Sequence, residues 1–170
     1  MIQIETERLI IRDRTTSDLE DLHSILSDSK VMYYLPDIET VTKEESEENL
    51  KVSINEIQSK NRSKYFFDIY EKKTLEHIGE IGYTTEAARA VMDYAFTILN
   101  CYKVETDCVS ENYASEKVMI KLGMKKETEL RKHTLLRGKI YDRLEYGILK
   151  EDGIRCGYIN KISEKKIFSN

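Results

Sequence analysis

"HIGEIGYTTEAARAVMDYAF", residues 77–96, reads as a strand running straight into a helix. Its left half has the look of a strand end, and its right half that of a glycine turn opening a helix. The dipeptide Gly82-Tyr83 stands at the joint and serves both. The segment "TTEAARAVMDYAFTILN" is the strongest helix signal in the chain. Ala88, Val91, Met92, Ala95 and Leu99 share one face, and the alanines permit close packing on a sheet.

Upstream, "KYFFDIY" (64–70) is aromatic and β-branched, a strand by composition and length, and "EKKT" turns it into "LEHIGEIGY". "ERLIIRD" (7–13) alternates Leu9 and Ile11 against Arg8, Ile10 and Arg12, as a first strand would. Ser17 lies three residues before Glu20, a capping-box spacing, and Leu19, Leu22 and Leu26 follow at helical intervals. A helix over about 17–28 is expected, with His23 beside its stripe in a structural role. "VMYYLPD" (31–37) reads as a loop with two exposed tyrosines. "TKEESEENLKVSINEIQSKN" is a second helix, with Leu50, Ile54 and Ile57 as its apolar stripe.

Downstream, "YKVETDCV" (102–109) alternates as a strand with one wetter face. Asn112 is placed to cap the helix "YASEKVMIKL", and Gly123 stands where a left-handed residue ends it. "MKKETELRKHTLL" and "IYDRLEYGILK", joined through Arg137-Gly138-Lys139, form a closing antiparallel pair. Its buried positions are expected at Ile140, Leu144, Tyr146 and Ile148, with Asp142 an unexplained polar member. Residues 153–170 show no sustained period and read as a tail after a domain spanning 1–152. Helices interleaved with strands indicate an α/β layered domain with a mixed sheet.

The 170 residues suit one domain with a real core. With 40% hydrophobic and 34% charged residues, the chain belongs with soluble globular proteins. No apolar run is long enough to span a bilayer and the N-terminus carries no signal-peptide pattern, so a cytoplasmic enzyme without membrane partners is expected. The net charge of −4, with acids and bases mixed, speaks against a nucleic-acid partner. The acidic run "EESEE" (44–48) reads as a solvated helix face. Cys101, Cys108 and Cys156 form no CxxC and leave one over, so neither a disulfide framework nor a metal site is expected. Cys108 reads as a buried, inert thiol.

Four blocks occur in a particular order: "ETERLIIRD", "GYTTEAARAVMDYAF", "VSENYASEKVMIKLGMKKE" and "GKIYDRLEYGIL". Over residues 3–151 they resemble the GNAT superfamily of N-acetyltransferases, and within it the branch similar to the RimJ/RimL ribosomal-protein acetyltransferases. The resemblance implies the GNAT (acyl-CoA N-acyltransferase) fold, a mixed central sheet flanked by helices. It implies acetyl-CoA as co-substrate and no metal. The acceptor would be a primary amine, on a protein N-terminus or a small molecule, that attacks the thioester directly.

Carried over residue by residue, Gly82, Tyr83, Thr84 and Thr85 match the end of the family's pyrophosphate-binding loop and helix start. Asn112 and Ser115 match contacts to the coenzyme, although ordinary helix capping explains Asn112 as well. Glu80 is the candidate base, against the alternative of a surface strand carboxylate. Tyr33 and Tyr34 are candidates for lining the acceptor pocket, with ordinary packing as the alternative. Some relatives place an acidic tyrosine four residues before the glycine equivalent to Gly123; here that position is Met119.

The pattern departs from the family at the opening stretch. Relatives carry two strands between "YFFDIY" and "TTEAA", each ending near a Gly-Tyr; this chain has "IGEIGY" and then the helix. One central strand and the front of the pyrophosphate loop are absent, as if the first Gly-Tyr had been joined to the second. A lost central strand exposes two sheet edges, so the expectation is either a paired or swapped homodimer or a sequence from which residues have been omitted. The alternative reading is a degenerate GNAT-like module that binds CoA or a protein partner without catalysis.

Overall fold

A computed structural model describes residues 1–78, 84–155 and the backbone of 167–169. The chain divides into two compact units, Met1–Gly79 with Lys166–Asn170, and Glu80–Lys165.

In the first unit, β1 (Ile2–Glu5), β2 (Leu9–Asp13) and β3 (Phe67–Glu71) form an antiparallel sheet in the order β3-β2-β1, extended at β1 by β7 (Ile167–Ser169). Ile4, Leu9 and Ile11 are fully buried, which bears out the alternation in "ERLIIRD". A 3-10 turn (Thr16–Asp18) leads into α1 (Leu19–Leu26), and α2 spans Lys43–Gln58. The cap differs from the expected Ser17–Glu20 pair. Asp18 accepts from the backbone N–H and hydroxyl of Thr15, at 2.6 and 2.9 Å, while Glu20 pairs with Lys43. The two helices meet through Leu22, Leu26 and Leu50, with Met32 from the intervening loop. Beside them His23 Nδ1 lies 2.9 Å from Ser46 Oγ, and Ser46 is 2.7 Å from Thr40 Oγ1. His23 is therefore a structural residue that ties α1 to α2 through a buried hydroxyl pair.

After β3 the chain turns back. Glu71 donates to Glu76 O, Ile78 donates to Ile69 O, and His77 bridges Tyr70. Only five residues, 79–83, separate this returning segment from α3 (Thr84–Thr97).

In the second unit, β4 (Lys103–Val109), β5 (Lys125–Leu136) and β6 (Lys139–Leu149) form an antiparallel sheet in the order β4-β6-β5. The core packs Met92 and Phe96 of α3, Cys108 of β4, Met119 of α4 (Tyr113–Lys121), and Leu122, Met124, Leu144, Tyr146 and Ile148. The expected helix face holds in part: Met92 is buried and Ala88 packs on the core, while Val91 and Ala95 are half-buried. Ala87, Ala90, Asp93 and Tyr94 are buried as well, and Leu99 lies beyond the helix and is exposed. The hairpin turns at Arg137 and Gly138, with φ of 46° and 79°, a left-handed pair suited to a two-residue turn. Ile140 is exposed and Tyr141 buried, contrary to the alternation. β5 carries an irregularity between Leu130 and Thr134. Asp142 explains itself there, since its Oδ1 accepts the Lys132 N–H at 2.7 Å, where Lys132 has a φ of 53°. Of the segment read as a tail, α5 (Lys150–Arg155) and β7 are described.

Candidate active site

The residues expected at the coenzyme end fall in the second unit. Thr84 and Thr85 form the first turn of α3, exposed and half-buried respectively. The positive end of a helix dipole and the N–H groups of its first turn favour an anion such as phosphate. Two hydroxyls stand there beside them. Glu86 shares the turn and weakens the field.

Asn112 is a true cap. Its Oδ1 accepts the Ser115 N–H at 3.2 Å, so its oxygen serves α4 and its amide NH₂ remains as the group for any ligand. Gly123 closes α4 with a φ of 81°, and Leu122 and Gly123 bond back to Val118 and Ile120. Arg89 Nη2 donates to Lys121 O at 3.0 Å, joining the start of α3 to the end of α4. Met119 is buried in the core and offers no acid.

One polar pair in this unit was not legible in the sequence. The Tyr146 hydroxyl donates to Glu116 Oε1 at 2.7 Å, and burial together with that bond pushes the phenol up to about 12. Burial likewise pushes the Cys108 thiol up, as expected of an inert core cysteine.

In the first unit, Tyr33 and Tyr34 lie in a 3-10 turn (Val31–Tyr34), edge to face at 4.9 Å. Tyr33 is exposed and Tyr34 half-buried, with the neighbouring Met32 anchoring the turn in the core. Glu80, Gly82 and Tyr83 lie outside the described residues.

Beneath the helices the first unit holds a row of buried ion pairs that periodicity alone did not reveal. Arg12 grips Asp18 through two hydrogen bonds of 2.8 and 2.7 Å, and Arg62 grips Asp13 at 2.9 and 2.6 Å. Arg14 Nε donates to Asp68 Oδ1 at 3.0 Å, with His77 Nε2 3.6 Å from the same oxygen. Burial alone would raise the Asp18 carboxyl, but Arg12 and Thr15 hold it well below the usual carboxylate range. The Tyr70 hydroxyl donates to Asp18 at 3.0 Å, and burial pushes that phenol up. The available signal was "IIRDR" itself, charges set in a strand whose neighbours are buried. Among the described residues no group of three or more His, Cys, Asp or Glu is placed to hold a metal.

A model of the acetyltransferase (GNAT) domain matches residues 8–84 and again 77–125. The two matches share residues 77–84, so the stretch ending in Gly82-Tyr83 answers to two separate places in the family. YnaD of Bacillus subtilis (strain 168), an uncharacterized N-acetyltransferase, is 30% identical over 89% of this chain and 99% of its own. That alignment runs to 173 positions, while 89% of 170 residues enter it, so about 22 positions of the relative face no residue here. A GNAT-family acetyltransferase from Bacillus anthracis superposes with a TM-score of 0.72 at 27% identity, covering 88% of this chain and 99% of that one. The spermidine N-acetyltransferase of Vibrio cholerae, solved with CoA and spermine, shares the fold at a TM-score of 0.73 and 19% identity, over 88% and 99% of the two chains. With the family matched on both sides of its shortened middle, the chain belongs to the GNAT family of acetyl-CoA-dependent N-acetyltransferases.

Proposed function

We propose that this protein transfers the acetyl group of acetyl-CoA to a primary amine, on a protein N-terminus or a small molecule, in the manner of the RimJ/RimL-like branch. The observation that carries the reading is the start of α3. The family's loop motif ends in "GYTTEA", and the helix begins at Thr84, with a second hydroxyl at Thr85. That donor set fits a pyrophosphate, because backbone N–H groups and hydroxyls both donate to anionic oxygens.

Bound acetyl-CoA supplies an activated acetyl thioester. Gly82, Tyr83, Thr84 and Thr85 hold its pyrophosphate, while the Asn112 amide and Ser115 hold the pantetheine or nucleotide end. Glu80 takes the proton from the incoming ammonium group, so that the free amine attacks the thioester carbon; a C–N bond replaces the C–S bond, and CoA departs as the thiol with the proton the amine gives up. Tyr33 and Tyr34 line the acceptor's approach. A cytoplasmic location accords with this substrate. We also assign a homodimeric assembly, supported by the sheet edges at β3 and β4. Among the described residues β3 is met on its outer side only by the short returning segment at 76–78, and β4 pairs with β6 alone.

Release of free CoA is followed with a panel of amines that includes polyamines and short peptides with free N-termini. Turnover should appear with at least one amine, in step with the acetylated product detected by mass. No transfer to any of them, together with no acetyl-CoA binding by calorimetry, overturns the reading.

A further inference from the structure

The hairpin of β5 and β6 ends in an apolar pair that nothing in the proposed chemistry uses. Leu135 and Ile140 are direct cross-strand partners, 71% and 58% exposed. Directly opposed residues project from the same face of a hairpin, so the two side chains form one exposed knob. The residues around it are basic. Between Leu130 and Tyr141 stand Arg131, Lys132, Arg137 and Lys139, with no acid among them. Lys139 is neutralised by Glu111 at 2.7 Å, so the basic character rests chiefly on Arg131 and Lys132, exposed on the strand approaching the tip.

The helical layer of the first unit has the opposite character. Residues 16–58 hold eleven acids and three lysines, and with Asp18 buried and neutralised by Arg12 the segment is still strongly acidic, in a chain whose total charge is only −4. Between the 3-10 turn, α1 and α2 lies a cleft of ≈ 350 Å³. Its apolar wall is Leu19, Leu50 and Ile54, and its rim is Thr16, Glu47, Lys51 and Asn55. Lys51 is paired with Glu47 and Glu48, at 3.2 and 2.8 Å, so the rim's single cation is already neutralised.

We infer that the Leu135–Ile140 knob of one copy seats in the α1–α2 cleft of a second copy of this chain. The apolar pair supplies the buried contact. The basic ring and the acidic helices supply the field that brings the copies together and sets their orientation. A second copy is the occupant because this chain carries both complementary surfaces. Only a closed assembly fills the knob and the cleft of every copy, and a dimer is the smallest such assembly. The inference gives the homodimer assigned above a specific surface, separate from the sheet edges that suggested it.

Sedimentation of the full chain over 1–100 µM tests it. A dimer is expected at low salt, weakening about tenfold or more between roughly 50 and 500 mM salt as screening shortens the field. Leu135→Asp, and separately the pair Glu47→Arg with Asn55→Arg, alter exposed positions and should each leave the circular dichroism unchanged. Each should weaken self-association by at least about tenfold, while an equimolar mixture of the two variants regains a complex through the one intact knob and cleft. A wild-type chain that stays monomeric at 100 µM overturns both this inference and the homodimer. A dimer indifferent to Leu135→Asp overturns the inference and leaves the homodimer standing.

Discussion

Arg12 and Asp18 meet through two near-parallel hydrogen bonds, Nη1 to Oδ2 at 2.8 Å and Nη2 to Oδ1 at 2.7 Å, with the carboxylate buried. The pair joins β2 to the entrance of α1, and the Tyr70 hydroxyl of β3 reports to the same carboxylate. Its planar geometry suits a guanidinium and would not survive replacement by lysine.

Asp18→Asn should destabilise the first unit by about 3 kcal/mol at neutral pH, the scale of breaking a buried pair and leaving Arg12 unmatched. The native carboxyl is held below its ordinary value, so the unfolded chain binds the proton more tightly than the folded one. Its stabilising contribution is therefore complete above the unfolded value near 4 and is lost as the pH falls from there toward the folded value. Denaturant titrations at pH 7 and pH 3 check this: the gap between wild type and variant should shrink at the lower pH.

Asn112 has two roles that substitution separates. Asn112→Ala removes the Ser115 N–H acceptor and should cost about 1 kcal/mol of stability. Asn112→Asp keeps the cap but loses the amide donors. If the amide holds the coenzyme, Asn112→Asp should raise the KM for acetyl-CoA several-fold with unchanged thermal stability; an unaltered KM would assign Asn112 to capping alone.

Thr85→Val keeps the shape of the first turn of α3 and deletes a hydroxyl. A lost hydrogen bond to a charged group is worth about 1.5–3 kcal/mol, so acetyl-CoA affinity by calorimetry should fall at least tenfold. Unchanged affinity would move the pyrophosphate away from this helix start.

Tyr146→Phe should cost about 1 kcal/mol by deleting the bond to Glu116. The folded phenol titrates at about 12, above the ordinary value near 10, so its contribution is whole below pH 10 and is lost as the pH rises through 12. Ultraviolet titration of wild type against variant should show one tyrosine fewer in the most alkaline step.

Gly123→Ala should cost about 1 kcal/mol, because a φ of 81° disfavours any residue with a Cβ. Thermal unfolding measures it, and a neutral result would mean the end of α4 rearranges freely.

Much of the fold was legible because its signals are local. The Asn112 cap, the Gly123 stop, the buried Leu9 and Ile11 and the turn at Arg137-Gly138 each depend on a few neighbouring residues. What was missed depends on partners far away in sequence. Nothing near Asp13 announces that Arg62, 49 residues later, will grip it. Nothing near Ile140 announces the irregularity at Leu130–Thr134 of the facing strand, beyond which Tyr141 is buried and Ile140 exposed. The short β1 was overlooked because four residues carry too little pattern. For the candidate site, motif order marked Thr84 and Asn112. The local cap reading, borne out by the Ser115 N–H on Asn112 Oδ1, added that the oxygen serves its own helix and leaves only the amide for a ligand.

The pairing of β1 with β7 sets Ile2 opposite Ser169. That contact joins residues 167 positions apart, wider than any other strand pairing among the described residues. Its loop-closure cost is therefore the highest of these ladders, and its three rungs should be the first to open in hydrogen exchange.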